Sequence, residues 1–169
     1  MVRTKQLHHN SWLLILAGTA ALALAMGIGR FAYTPILPFM LNEVGLTATE
    51  GGLIASWNFI GYCIGSLIPI LPIFKGHMKI WFFGAICASI ITTASMGLVT
   101  DLSWFALIRL ASGITSAFTL IFGTSLILPS IQALGKVTIS TTHFAGVGLG
   151  MTLSSIVVSA MGAFGFSWE

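Results

Sequence analysis

Five long apolar stretches separated by short polar connections constrain this chain more than any other feature. They run over residues 12–40, 51–74, 80–99, 104–128 and 143–166. A helix needs about 20 apolar residues to cross the roughly 30 Å hydrocarbon core of a bilayer. An open sheet edge leaves backbone groups unsatisfied in lipid, and the alternating pattern of a membrane β-barrel is missing. The sequence therefore predicts an all-α membrane protein with five transmembrane helices.

The charge content excludes a soluble globule, because only 7% of the 169 residues are charged and 56% are hydrophobic. An ordinary soluble domain has roughly 25% charged residues. The basic residues are scattered singly, so we expect contact with a lipid bilayer and no nucleic-acid partner. Cys63 and Cys87 lie in apolar runs without metal-ligand spacing, so neither a metal site nor a cofactor is expected.

The few charged residues outside the apolar stretches sort to opposite sides of the membrane. Basic residues fall on one side and acidic residues on the other: Arg3, Lys5, Lys75, Lys79 and Lys136 against Glu43, Glu50, Asp101 and Glu169. Basic residues favour the cytoplasmic side. We therefore predict a cytoplasmic tail over residues 1–11, followed by a single membrane domain over residues 12–169 in the cell (inner) membrane. The chain would then end on the outer side.

Two arginines, Arg30 and Arg109, lie inside predicted spans, where a charge costs about 2.5–3.5 kcal/mol. Two interpretations remain open. The side chains extend to the outer interface, with Asp101 near Arg109, or they face an aqueous cavity and attract an anion. No acidic residue lies within the predicted spans. If the protein moves a proton across the membrane, His143 is therefore the candidate side chain to carry it. We nevertheless expect His143 to be an exposed histidine in a loop.

Glycines spaced four residues apart mark candidate packing faces in two spans. They are Gly61 with Gly65, and Gly146 with Gly150. Small residues at this spacing let helix backbones approach closely in lipid. We expect these faces to pack within the chain, with dimerisation as the alternative.

The first span contains glycines and prolines that favour a kinked or broken helix near its outer end. Gly27 and Gly29 precede Pro35 and Pro38. Broken helices of this kind are tolerated in membranes where the freed carbonyls line a cavity or meet another helix. The helical spacing also predicts that Gly27, Arg30 and Tyr33 share one face. Such a face would suit an anionic or polar organic solute.

Three segments resemble a known transporter family. The segment from Gly27 to Pro38, GIGRFAYTPILP, resembles the first-helix signature of YbfB-type transporters in the major facilitator superfamily. Arg109xxxGly113xxxAla117 resembles the superfamily's fourth-helix motif, whose arginine is implicated in proton coupling in related carriers. Gly146xxxGly150 followed by Met151 and Ser154-Ser155 is similar to the antiporter motif, with its proline and paired glycines replaced. The connection from Pro69 to Met78 departs from the superfamily pattern GxLxDxxGRK. It retains Leu71 and Gly76 but has Pro69, Ile73, His77 and Met78 where Gly, Asp, Arg and Lys would stand.

The resemblance implies a secondary active transporter that moves a small organic solute by alternating access, and not an enzyme. Such carriers have twelve spans in two six-helix halves, with the substrate site between the halves. Five spans resemble an incomplete N-terminal six-helix half, so a truncated or partial carrier is expected, with the missing C-terminal spans as its partner. The expected substrate-binding or coupling residues are Arg30, Tyr33 and Arg109. The expected helix-packing residues are Gly27, Gly29, Gly61, Gly65, Gly113, Gly146 and Gly150.

Two other functions are compatible with the sequence. One is a small multi-pass membrane scaffold or regulatory subunit that packs against partners through its GxxxG faces. The other is an intramembrane hydrolase that would pair Ser125 with His143.

Overall fold

The computed structural model describes residues 13–74, 76–133 and 142–166. These residues are largely helical and contain no β-strand. Five helices are long and apolar enough to cross a bilayer: Leu13–Glu43, Ala48–Ile70, Met78–Leu98, Leu102–Gln132 and Thr142–Ala163. We refer to them as the first to fifth spans. They confirm the prediction of an all-α membrane protein with five transmembrane helices.

The predicted orientation rests partly on residues outside those described ranges. The tail of residues 1–11 lies there, as do Arg3, Lys5, Lys75, Lys136 and Glu169. Lys79 and Asp101 are described and lie near opposite ends of the third span, Met78–Leu98. The cytoplasmic placement of the N-terminus stays a prediction.

The second span begins earlier than predicted because a capping box starts it. The Thr47 hydroxyl accepts a hydrogen bond from the Glu50 backbone N–H at 3.2 Å, and the Glu50 carboxylate accepts one from the Thr47 N–H at 2.8 Å. These reciprocal bonds satisfy two donors that a helix start leaves unpaired. Glu50 therefore lies in the first turn of the second span, and Glu43 is the last residue of the first. The prediction that no acidic residue lies within a span is wrong at these two helix ends.

Most of the spans combine an α-helix with short turns of another helix type. The α-helices of the second to fifth spans are Ala48–Leu67, Met78–Ser95, Leu102–Ala133 and Ala145–Ala163. Short 3₁₀ turns follow the second and third helices and precede the fifth: Ile68–Ile70, Pro72–Phe74, Met96–Leu98 and Thr142–Phe144.

The fourth span continues through Pro129, where the sequence predicted its end at residue 128. Its α-helix runs to Ala133 and contains the proline. Beyond Pro129, Ile131 is fully buried and packs with Ile127 and with Ile15 of the first span. Pro129 has no backbone N–H, so the helix loses one hydrogen bond there. Burial of the Ile131 side chain is favourable and offsets that loss, so the helix continues.

The first span is interrupted. Residues 13–22 are α-helical, Ala23–Ile28 form a π-helix, residues 29–32 form turns, and Tyr33–Glu43 are again α-helical. The break precedes both prolines. Pro35 lies in the first turn of the second α-helical segment, where its missing N–H has no partner to lose.

The first and fourth spans form the inside of the bundle. In their most apolar windows 50% and 44% of the residues are buried, against 11% and 17% in the third and fifth spans. The outer surface exposes large apolar side chains, including Leu98 and Phe164. Such a surface is suited to lipid and not to water.

The second and fourth spans pack through glycines. A Cβ atom at Gly61 would overlap the backbone of Leu110, and one at Gly65 would lie 2.7 Å from the Cα atom of Ile114. Gly113 meets the second span from the other side with equally little space. Only a bare backbone fits at these three positions.

The first and fifth spans pack in the same way. Gly27 faces Gly150 across the interface, and Gly146 lies against the carbonyl of Thr19. These glycine faces therefore lie between spans of one chain. A scaffold that binds partners through them would have to unpack its own bundle.

Candidate functional site

The interruption in the first span directs two backbone carbonyls toward the fourth span. The Ser112 hydroxyl donates to the carbonyl of Gly29 at 3.1 Å. The Nη1 and Nη2 atoms of Arg109 both donate to the carbonyl of Arg30, each at 3.1 Å. A carbonyl without a partner is costly in hydrocarbon, so these bonds stabilise the broken geometry.

Arg109 is buried inside the bundle. Its side chain is 6% exposed, and its guanidinium carbon lies 4.6 Å from the centre of the Tyr33 ring. The Nδ2 atom of Asn58 donates to the Arg109 backbone carbonyl at 3.0 Å, which ties the second span to this turn of the fourth. Asp101, proposed as its neighbour, instead accepts a bond from the Ser103 N–H. The structure therefore favours the interior position of Arg109 over an interfacial one.

Arg30 is also buried, but it faces another side of the first span. Its guanidinium carbon lies 4.0 Å from the ring centre of Tyr62 and 5.0 Å from that of Phe59, both on the second span, and 5.5 Å from that of Phe31. Such distances allow cation–π attraction. The guanidinium of Arg30 is thus held among aromatic rings between the first and second spans.

Tyr33 connects the first span to the start of the second. Its hydroxyl donates to the carbonyl of Gly51 at 2.9 Å, and its ring lies beneath Arg109. Gly27 faces the fifth span and Arg30 the second, so these two residues do not share a face with each other. The single-face prediction assumed a regular helix, and the π-helix and turns change the direction of successive side chains.

A cavity of about 200 Å³ lies between the first, third and fourth spans. Most of its wall is apolar, and its polar groups lie on all three spans. The residues that line it are Ile28, Gly29, Ala32, Tyr33, Ile36, Met40, Thr92, Thr93, Ala94, Met96, Gly97, Arg109 and Ser112. Of the three expected substrate or coupling residues, Tyr33 and Arg109 line this cavity and Arg30 does not.

Gly29 forms part of the same wall. A Cβ atom there would overlap the hydroxyl of Ser89, a buried residue of the third span. Gly29 thus allows the third span to approach the interrupted part of the first. The other expected packing glycines lie at the two interfaces described above.

The sequence interpretation missed Asn58, Ser89 and Ser112. All three are buried polar residues within spans. Asn58 lies three residues before Gly61, and Ser112 three residues after Arg109, so each shares a helix face with a residue already identified. That spacing was the available signal.

His143 is 1% exposed, so the expectation of an exposed loop histidine is wrong. Its ring contacts Phe144 at 4.3 Å between centres, and its Cβ atom lies close to Gly18 of the first span. The absence of a side chain at Gly18 provides room for the imidazole. Ser125, its suggested partner in a hydrolase, is exposed on the fourth span.

The helices and the cavity define a multi-pass α-helical membrane protein with a mostly apolar cavity between its spans that a buried arginine lines. Residues 22–168 match the family described as "Uncharacterised MFS-type transporter YbfB". The chain therefore belongs to this family of the major facilitator superfamily, as the resemblance of its motifs predicted. It matches no curated protein and no solved structure.

Proposed function

We propose that the protein is a secondary transporter that moves a small organic solute across the membrane by alternating access. The observation that carries the proposal is the cavity beside the interruption of the first span, because it places a buried arginine and a phenol ring in an otherwise apolar space. Family membership supports transport in general. The geometry adds a candidate place for the solute.

Arg109 has bonding capacity left for a solute. A guanidinium group has five N–H donors. Nη1 and Nη2 of Arg109 each donate one hydrogen bond to the Arg30 carbonyl. Nε of Arg109 is buried and has no hydrogen-bond partner among the described residues. Charged groups at membrane depth commonly mark a substrate or ion path. We assign Arg109 the role of holding the solute.

Alternating access requires that one part of the bundle moves while the rest stays packed. The first span supplies a bend point at residues 29–32, where its helix is interrupted. The glycine interfaces on either side keep the backbones in close contact. We infer that the interruption absorbs the change in helix direction when the cavity opens to the other side.

Cysteine accessibility tests this function and does not require the solute to be identified. Cys63 and Cys87 are the chain's two cysteines and both are exposed, so changing them to serine gives a cysteine-free background. Thr93→Cys then places one thiol in the cavity wall. Ile91→Cys is the control, because Ile91 is 64% exposed on the same span and faces lipid.

A membrane-impermeant maleimide is applied to vesicles of both orientations. Thr93→Cys should react from both sides of the membrane, because alternating access opens the cavity to each in turn. Ile91→Cys should react from neither, since a thiol in lipid meets no water-soluble reagent. Modification of Thr93→Cys from a single side would contradict the proposal.

A further inference from the structure

The cavity beside the first span carries a single formal charge among the described residues that line it, namely Arg109. The polar groups around it are uncharged: the phenol of Tyr33 and the hydroxyls of Thr92, Thr93 and Ser112. A solute with one negative charge would balance this wall. A second negative charge would be desolvated there without a partner, which is costly.

The bonds that Arg109 already makes favour a carboxylate as that charge. Its two terminal nitrogens converge on one acceptor, the neutral carbonyl of Arg30. A carboxylate presents two oxygens in the geometry of the guanidinium fork, and hydrogen bonds between ionised groups are about twice as strong as neutral ones. A carboxylate in the cavity would therefore be a stronger acceptor than a neutral group for the N–H donors of Arg109 that the Arg30 carbonyl leaves free.

The volume gives the approximate size of the part of the solute that the cavity encloses. A cavity of about 150 Å³ lined by apolar side chains holds benzene, which has six non-hydrogen atoms. At the same packing, the cavity volume of about 200 Å³ corresponds to about eight non-hydrogen atoms. Benzoate, with nine non-hydrogen atoms, lies just above this figure, whereas a fused two-ring acid such as 2-naphthoate, with thirteen, far exceeds it.

The wall away from Arg109 suits a flat, apolar body. Ile28, Ala32, Ile36, Met40 and Met96 line it with aliphatic and thioether groups. Methionine adapts its shape to an aromatic edge and makes favourable sulfur–ring contacts. The ring of Tyr33 adds an aromatic surface beside the charge.

We propose that this cavity binds a small monocarboxylate with an apolar body no larger than benzoate, and that Arg109 binds its carboxylate through the N–H donors that the Arg30 carbonyl leaves free. The transport of such an acid rests on the proposed function, whereas its binding rests on the cavity alone.

Isothermal titration calorimetry on the purified protein in dodecyl maltoside, an uncharged detergent, tests the binding. Four probes separate charge from size: benzoate, its neutral isostere benzamide, the small dianion malonate, and the larger 2-naphthoate. We expect benzoate to bind at least about tenfold more tightly than each of the other three. Equal binding of benzamide, or tighter binding of 2-naphthoate or malonate, would overturn the proposal, as would no binding of benzoate at millimolar concentration.

Two variants locate the site. Arg109→Gln keeps an amide donor for the Arg30 carbonyl but removes the charge, and should weaken benzoate at least about tenfold. Ile36→Phe leaves Arg109 in place but fills the cavity, and should also abolish benzoate binding. Lys79→Gln is the control, since it removes a charge from an exposed residue outside the cavity and should leave benzoate binding unchanged. Undiminished binding in Arg109→Gln would overturn the assignment; if that variant does not fold, the comparison of benzoate with benzamide on the unaltered protein decides.

The two proposals fail separately. Benzoate binding with one-sided modification of Thr93→Cys would uphold the ligand and reject transport by alternating access. Two-sided modification without benzoate binding would uphold the carrier and reject the carboxylate.

Discussion

Replacing Gly65 with alanine tests whether the second and fourth spans are held together by direct backbone contact. The added Cβ atom would lie 2.7 Å from the Cα atom of Ile114, 2.9 Å from its carbonyl oxygen, and 3.1 Å from the Cβ atom of Ala117. The first two are backbone atoms and cannot rotate away. The two helices must therefore separate to accept the methyl group.

The size of that separation gives the expected energy. Ordinary van der Waals contact begins at 3.4 Å, so the contact at 2.7 Å requires a shift of about 0.7 Å. A gap of about 0.5–1 Å loses a quarter to a half of the dispersion attraction at the atoms it separates. Overpacking of a tight interface costs about 1–3 kcal/mol. We expect the steric cost of Gly65→Ala to lower the free energy of unfolding by about 2 kcal/mol, before the gain in helix propensity that a Gly→Ala change brings.

The control variant is Gly84→Ala in the third span, where an added Cβ atom would have no other atom within 4 Å. It carries the same intrinsic gain in helix propensity, up to about 1 kcal/mol, without the steric cost. Both variants are unfolded with sodium dodecyl sulfate from dodecyl maltoside micelles, and helix content is followed by circular dichroism. Equal stability of the two variants would refute the reasoning.

Two further variants test polar contacts by the same unfolding assay. Asn58→Ala removes the hydrogen bond to the Arg109 carbonyl and should lower the free energy of unfolding by about 1–3 kcal/mol. Its control is Ser56→Ala, at an exposed position on the same helix, which should change the free energy of unfolding by less than about 0.5 kcal/mol. Equal effects of the two variants would show that the buried amide of Asn58 contributes nothing. Thr47→Ala removes the cap of the second span and should lower the free energy of unfolding by about 1 kcal/mol. Thr47→Ser keeps the hydroxyl and should retain most of that stability. A serine variant as unstable as the alanine variant would argue against the capping bond.

The number and type of the spans follow from the sequence, because lipid leaves a long apolar segment few alternatives to a helix. The ends of the spans are less predictable. The capping box at Thr47 extends the second span backward, and burial of Ile131 carries the fourth span past Pro129. Both effects depend on a few local contacts, and hydropathy averaged over a whole span does not register them.

The two arginines were identifiable from the sequence because few residues inside the apolar stretches carry a charge. Their different surroundings were not. Regular helical spacing joined Arg30 to Tyr33 and Gly27, whereas the π-helix and the turns direct Arg30 to Tyr62 on the second span. The position and length of the π-helical segment depend on packing against neighbouring spans. The periodicity of residues within the first span therefore could not predict the direction of the Arg30 side chain.

The interruption of the first span also determines when this helix is complete during synthesis. Two of its carbonyls, at Gly29 and Arg30, receive their bonds from Ser112 and Arg109, which lie 83 and 79 residues further along the chain. At about 5–20 residues per second, the ribosome needs roughly 4–16 s to make that length. Until then the carbonyls depend on water or on the insertion machinery, since an unsatisfied carbonyl in lipid costs several kcal/mol. The first span is therefore completed only after the fourth has entered the membrane.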